Sequence, residues 1–292
     1  MDKEAKCRNW DVFEDDGMCC VCGQKAVFAP IKPGHSLRET RCSSCRSSRR
    51  TRDLVRVLAR LSAGPKARLL PEALDAMRDW RVFEAQAAGP LHERLRCLPG
   101  YVCSEYVPEL TAPGSRTQEG LRCEDLERLS FPDASFDLVV TQDIFEHVTD
   151  PWRAFDEVWR VLAPGGRHVF TVPIHEGHCT TPRVRFENGT RHDLLPPVHH
   201  GDPVRHGGSL VITDYGDDLP ALLDKRGQPT DVAVHVAFYK PSEMPGIIEG
   251  DIHALYEAAY KAGEKAGFLR YNSVVFVTHK PGGKKQTGGK PF

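Results

Sequence analysis

Residues Phe131–Pro173 read FPDASFDLVVTQDIFEHVTDPWRAFDEVWRVLAPGGRHVFTVP, and this stretch decides the fold. Phe136 to Thr141 is a strongly apolar run of strand length, which predicts a buried strand. Pro151 to Leu162 predicts a helix with proline at its start and Trp152, Phe155, Val158, Trp159 and Leu162 on one side. Pro164, Gly165 and Gly166 predict a turn, and Arg167 to Val172 a second strand. Between the first strand and the helix lies a loop carrying acid and histidine, Asp143 to His147. This order is the one an open α/β sheet uses to present a ligand beyond its strand ends.

Working outward, the same alternation continues on both sides. Glu72 to Arg78 reads as a short helix and Trp80 to Glu84 as a first strand ending on an acid. A small-residue turn, Ala85 to Pro90, precedes a helical Leu91 to Leu98. Tyr101 to Glu105 is a second strand ending on an acid, and Gly120 to Cys123 a third, followed by Glu124 and Asp125. Pro173 to Ser209 breaks the pattern and reads as a long irregular lid or substrate segment. Its histidines, His175, His178, His192, His199, His200 and His206, could take a transition metal, but their irregular spacing favours a flexible loop. Leu219 to Lys225 and Ile252 to Gly263 read as helices, Val232 to Phe238 and Ser273 to Thr278 as strands, and residues 281–292 as a flexible tail.

The chain has 292 residues, with 40% hydrophobic and 27% charged residues and a formal net charge of -1. That balance gives no global pull toward nucleic acid or membrane, and no apolar run has the length of a bilayer span. The acidic start MDKEAKCRNWDVFEDD is unlike a secretory signal, so a cytoplasmic location is expected. Six of the ten cysteines precede residue 46, and Cys97, Cys103, Cys123 and Cys179 read as small buried hydrophobes. Cys19 with Cys22, and Cys42 with Cys45, form two C-x-x-C knuckles about twenty residues apart, the sequence form of a four-thiolate zinc ribbon. Ala26 to Phe28 and Leu37 to Thr40 are placed to form its hairpin, while Cys7 and Cys20 are spare, Cys20 being near enough to replace a neighbour. Between Ser36 and Leu70 the charge is +8, with Arg49, Arg50, Arg52, Arg56 and Arg60 beyond the second knuckle. Without interleaved aromatics, a solvated helix face is favoured over an RNA-binding patch.

From Arg81 to Pro173 the chain resembles the class I S-adenosylmethionine-dependent methyltransferases, of the methyltransferase type 11 kind, with a weaker echo in the last strand. The resemblance implies a Rossmann-like α/β sheet, mostly parallel with its last strand antiparallel, beside the small zinc ribbon. It implies a cofactor site in which Glu84 opens the loop Gln86, Ala87, Ala88 and Gly89. Glu105 would accept both ribose hydroxyls, with Tyr106 beside it, and Asp125, with Leu126, would lie near the adenine amino group. Gln142 would lie where cofactor and acceptor meet. The family loop has two or three glycines where this chain has Gln86, Ala87 and Ala88, leaving only Gly89 to let backbone approach the ligand.

On the acceptor side His147 is the candidate general base, with Asp143 as its companion, against a purely structural Glu146-His147 turn. Asp143-x-x-Glu146-His147 is also similar to the acid-x-x-Glu-His loop of quinone-biosynthesis O-methyltransferases, which implies a Mg²⁺ option. The expected organisation is a ribbon over 1–50, a helical linker over 51–79, and a methyltransferase domain over 80–280 with a lid at 173–209. The expected activity is methylation of oxygen or nitrogen on a small molecule. The alternatives are RNA methylation, by analogy with ribbon-bearing rRNA guanine methyltransferases, and a catalytically silent binding module.

Overall fold

The computed structural model describes residues 8–9, 17–29, 37–108, 110, 112–175, 177–201, 207–239 and 269–282. Cys7, His206, the helix expected over 252–263 and residues 283–292 of the tail lie outside them. The chain forms two compact units, Met1–Asp79 with Ala88–Pro99 and Val232–Val275, and Trp80–Ala87 with Gly100–Asp231 and Phe276–Phe292.

In the first unit, β2 (Phe28–Ala29) pairs antiparallel with β3 (Arg41–Cys42), closing a hairpin between the two cysteine knuckles. Helix α1 (Arg49–Ala63) is capped by Ser48, whose Oγ accepts the Thr51 N–H at 3.3 Å, and it packs against α2 (Leu70–Ala76). The solvated arginine face expected of α1 is not what forms, since Arg49, Arg52 and Arg56 are all buried. Arg49 and Arg56 close on buried Asp53 at 3.0 and 2.7 Å. Arg52 donates to the carbonyls of Thr40 and Ser47 and lies 4.2 Å over the Phe28 ring, tying the hairpin to the helix. A fork of donors satisfies several carbonyls at once, which is why arginine rather than an apolar residue fills the interior here. In this unit β1 (Arg8–Asn9) pairs in parallel with β15 (Thr230–Tyr239), and the short helix α3 (His92–Leu95) is cut off before Pro99.

The second unit is built on β4 (Val82–Glu84), β5 (Tyr101–Cys103), β6 (Phe136–Gln142) and β7 (Leu162–Thr171). β5, β4, β6 and β7 lie side by side in parallel, and Phe276–His279 of β16 (Leu269–His279) adds an antiparallel strand to β7. This is the Rossmann-like α/β arrangement that the opening stretch predicts. Helix α4 (Pro151–Val161) follows β6, with Asp150 accepting the Arg153 N–H as its cap. Its Phe155 stacks 4.1 Å from Phe145 and meets Phe170, which stacks in turn on Phe276. The expected Pro-Gly-Gly turn is a bulge within β7, where pairing jumps from Phe136↔Leu162 to Leu138↔Arg167. Gly165 takes φ +84°, and a Cβ on Gly166 would stand 2.8 Å from the Ala163 carbonyl oxygen.

Three further expectations need correction. Gly120 to Cys123 forms no ladder, only the single bridges Glu105↔Cys123 and Arg116↔Arg122, because Gly120 at φ +84° turns the chain. Cys97 and Cys179 are exposed rather than buried, and only Cys123 of the four later cysteines is enclosed. The segment after Pro173 is not irregular throughout. β10 (Val184–Glu187) and β11 (Thr190–Asp193) form a hairpin whose turn residues Asn188 and Gly189 both have positive φ. β8 (Ile174–His175), β9 (Thr181–Pro182) and β14 (Thr213–Gly216) form a small sheet, and β12 (His199–His200) pairs with β13 (Ser209–Leu210). Helix α5 (Leu219–Lys225) keeps its expected bounds.

Candidate active site

The parallel register sets Glu84 beside Cys103 on one flank and Val140 on the other, so the chain leaves β4, β5 and β6 at one end of the sheet. Glu105 follows β5 there, and mutual backbone hydrogen bonds with Arg122 and Glu124 bring Asp125 to the same end. Glu84 is buried, and its Oε2 accepts the Tyr101 hydroxyl at 2.6 Å. Oε1 of Glu84 has no hydrogen-bond partner among the described residues. Burial pushes the Glu84 carboxyl up to about 8, the Tyr101 hydrogen bond opposing and the Glu105 charge adding to the rise.

Glu105 Oε1 accepts the backbone N–H of Ala87 at 2.8 Å, so the second acid latches the turn that opens after the first. Asp125 Oδ1 accepts the Glu127 N–H at 2.9 Å, and Leu126 behind it is buried. Tyr106 presents an exposed ring, while Gln86 and Gln142 are half-buried. Ala88 and Gly89 belong to the first unit, where Gly89 takes φ +98° and its carbonyl accepts the Glu93 N–H. The observation that tests a cofactor here is the orphaned Glu84 oxygen in a row of carboxylates. S-adenosylmethionine carries an ammonium, a ribose diol and an adenine amino group, all donors, and Glu84, Glu105 and Asp125 supply acceptors suited to them.

Beyond β6 the chain turns at Asp143, whose φ is +51°. Its N–H donates to the Thr171 carbonyl, and its Oδ1 accepts the Thr171 hydroxyl at 2.9 Å. The grouping of Asp143, Glu146 and His147 that is the Mg²⁺ option is not found among the described residues, where Asp143 is turned onto Thr171 of β7. Phe145–His147 make one tight helical turn, held by the Ile212 N–H on the Glu146 carbonyl and the Tyr215 hydroxyl on the Phe145 carbonyl. Glu146 and His147 instead meet His200, one ligand atom from each lying within 4.8 Å of the others. His147 Nδ1 is 2.7 Å from the Leu210 carbonyl oxygen, and since a carbonyl only accepts, Nδ1 carries the proton. His200 is one of the loop histidines whose irregular spacing favours a flexible loop over a metal site.

In the first unit the four cysteines of the two knuckles bring their sulfurs together. Cys19 Sγ and Cys45 Sγ are 3.8 Å apart, the separation of about 3.8 Å that Zn–S bonds of about 2.3 Å give at tetrahedral angles. Each knuckle ends on a left-handed residue, Gly23 at φ +69° and Arg46 at φ +64°. The Cys45 S–H, against the opposing effect of burial, holds the Cys19 thiol down. Cys20 is no substitute ligand, because its thiol donates to the Arg52 carbonyl and burial pushes it up to about 12.

Residues 95–170 match the family model described as methyltransferase domain. An uncharacterized methyltransferase of Mycobacterium sp. (strain KMS) is 34% identical over 124 residues, 42% of this chain and 48% of that protein. The demethylmenaquinone methyltransferase of Deinococcus radiodurans is 39% identical over 74 residues, 23% of this chain and 31% of that protein. The chain thus spans about half the length, or less, of these curated relatives. Among solved structures, an S-adenosylmethionine dependent methyltransferase from Mesorhizobium loti is similar at a TM-score of 0.34 and 19% identity, over 71% of this chain and 95% of that one. The similarity to methyltransferases over residues 95–170 thus falls on the stretch that carries β5, β6, α4 and most of β7.

Proposed function

We propose that the protein transfers a methyl group from S-adenosylmethionine to an oxygen or nitrogen of a small-molecule acceptor. The observation that carries this reading is the row Glu84, Glu105 and Asp125 at the carboxyl end of a parallel sheet, with one buried Glu84 oxygen left without a partner among the described residues. When bound, S-adenosylmethionine supplies an electrophilic methyl on a sulfonium. Glu84 would face the cofactor's ammonium, Glu105 its ribose hydroxyls and Asp125 its adenine amino group, with Gln86, Tyr106, Leu126 and Gln142 around them. Gln86, Ala87 and Ala88 replace the glycines common to such loops, and the Ala87–Glu105 latch offers a way to hold the turn without them.

On the acceptor side the residues' task is to align a nucleophile and exclude water. We assign this to His147, and give Asp143 the role of setting the loop through Thr171. The four cysteines are proposed to hold a structural zinc, in a ribbon over 1–50 joined by a linker over 51–79 to a catalytic domain over 80–280, in a cytoplasmic enzyme. The RNA alternative is weakened by the burial of Arg49, Arg52 and Arg56, which cannot reach phosphates from the interior. Among the described residues no helix is long and apolar enough to cross a membrane. Calorimetric titration with S-adenosylmethionine tests the reading: saturable heat is expected, and none at high cofactor concentration leaves only the silent module.

A further inference from the structure

We infer that Glu146, His147 and His200 form a binding site for a divalent transition-metal ion, separate from the four cysteines. Oε1 of Glu146 lies 3.6 Å from His147 Nε2 and 3.6 Å from His200 Nδ1. These separations exceed a hydrogen bond, whose N···O distance ends near about 3.2 Å. They are close to what an ion requires, since metal–ligand bonds of about 2.0–2.1 Å space tetrahedral neighbours roughly 3.3 Å apart. The two separations from Glu146 are within a few tenths of an ångström of that spacing, and all three ligand atoms lie within 4.8 Å of one another.

The donor atoms are prepared for this role. The Nδ1–H of His147 is committed to the Leu210 carbonyl, which leaves a bare lone pair on Nε2. A carbonyl behind one ring nitrogen is how a metal-binding imidazole is oriented. Glu146 is 1% exposed, and neither of its carboxylate oxygens has a hydrogen-bond partner among the described residues. The neighbouring Tyr215 hydroxyl donates to the Phe145 carbonyl instead. A buried carboxylate without donors calls for a cation, and an ion between the three side chains supplies it.

The backbone fixes the arrangement from both sides. His200 pairs with Ser209 in the β12–β13 ladder, which also aims the Leu210 carbonyl at His147. Gly208 is required there: it takes φ +73°, and a Cβ on it would stand 2.4 Å from the His200 carbonyl oxygen. Two imidazoles and one carboxylate suit Zn²⁺, Co²⁺ or Fe²⁺, whereas Mg²⁺ and Ca²⁺ take oxygen ligands. His147 and His200 are both partly open to solvent, so three protein ligands leave a coordination position that a small molecule can reach. Within the methyl-transfer reading, and resting on it, that position would take the acceptor's oxygen or nitrogen, whose proton passes to water while His147 serves as a ligand.

The test is metal loading of the stripped full-length protein with Zn²⁺ and, separately, Co²⁺. Wild type is expected to retain about two zinc equivalents, Cys42→Ser and His200→Ala about one each, by the ligand count of a closed and an open site. In the cobalt form, His200→Ala should keep the sulfur-to-cobalt charge-transfer bands, which also report a folded ribbon, and lose the nitrogen- and oxygen-ligand visible bands. Glu146→Gln should weaken the second equivalent at least about tenfold, because losing even a group that only orients a ligand costs about 10–100-fold and Glu146 is a ligand itself. A wild type that takes metal only at its cysteines overturns the inference, and so does unchanged uptake in His200→Ala. Titrating the same samples with S-adenosylmethionine separates the two proposals, because cofactor heat without a second metal refutes the metal site alone.

Discussion

Glu84 shows how much one side chain's surroundings matter. In sequence it is an acid at the end of a strand; in the structure it is an enclosed carboxyl with one oxygen satisfied among the described residues. Its folded value of about 8 stands above the ordinary 4.5, so the folded state holds the proton more tightly than the unfolded chain does. The stability it contributes is present below pH 4.5 and is lost as pH rises through about 8. Denaturation measured across that window should show a falling stability that Glu84→Gln flattens; an unchanged slope in the variant would assign the effect elsewhere. The buried imidazoles act in the opposite sense. Burial drives His168 down to about 3, so its contribution is present above pH 6.5 and is lost as pH falls toward 3. The arginines of α1 teach the same lesson, since nothing in their spacing distinguishes a solvated face from one closed over Asp53 and the Thr40 carbonyl.

At the scale of elements, the opening stretch is held by contacts within it and with the residues just before it. Arg160 on α4 donates to the carbonyls of Leu129 and Phe131 and pairs with Asp133 and Glu157. Arg160→Ala leaves those carbonyls without their donor and should cost about 1–3 kcal/mol in urea unfolding. A loss below about 0.5 kcal/mol, the range of an ordinary surface substitution, would show that water replaces it freely. In the cysteine module, Cys42→Ser should remove the zinc proposed there, by elemental analysis, and full retention would refute the four-thiolate site. The long segment after Pro173 held a readable signal that composition hides. Glu187-Asn188-Gly189-Thr190 is a two-residue hairpin turn by its Asn-Gly pair, and β10 and β11 close on it. The β12–β13 pairing has no such mark, which is why His200 is not legible as a neighbour of Glu146 until the register is known.

For the whole molecule, the parallel sheet, the antiparallel contribution of β16 to β7 and the paired knuckles follow from patterns local to a few residues. The acids at successive strand ends are equally local, because a strand's register places its last residue beside its neighbour's. What is not local is which side chains the loops beyond β6 bring together: Asp143 bends back to Thr171, and a histidine more than fifty residues away takes the place expected for it. The central claim is that the acidic sheet end holds S-adenosylmethionine, and its most direct test is calorimetric titration of wild type, Glu105→Gln and Glu105→Ala. Glu105→Gln can keep an acceptor for the Ala87 N–H while losing the carboxylate proposed to face the ribose. The account predicts saturable binding to wild type, at least about tenfold weaker binding to Glu105→Gln as a charged hydrogen bond is lost, and none detectable to Glu105→Ala. Equal affinity in all three would contradict it.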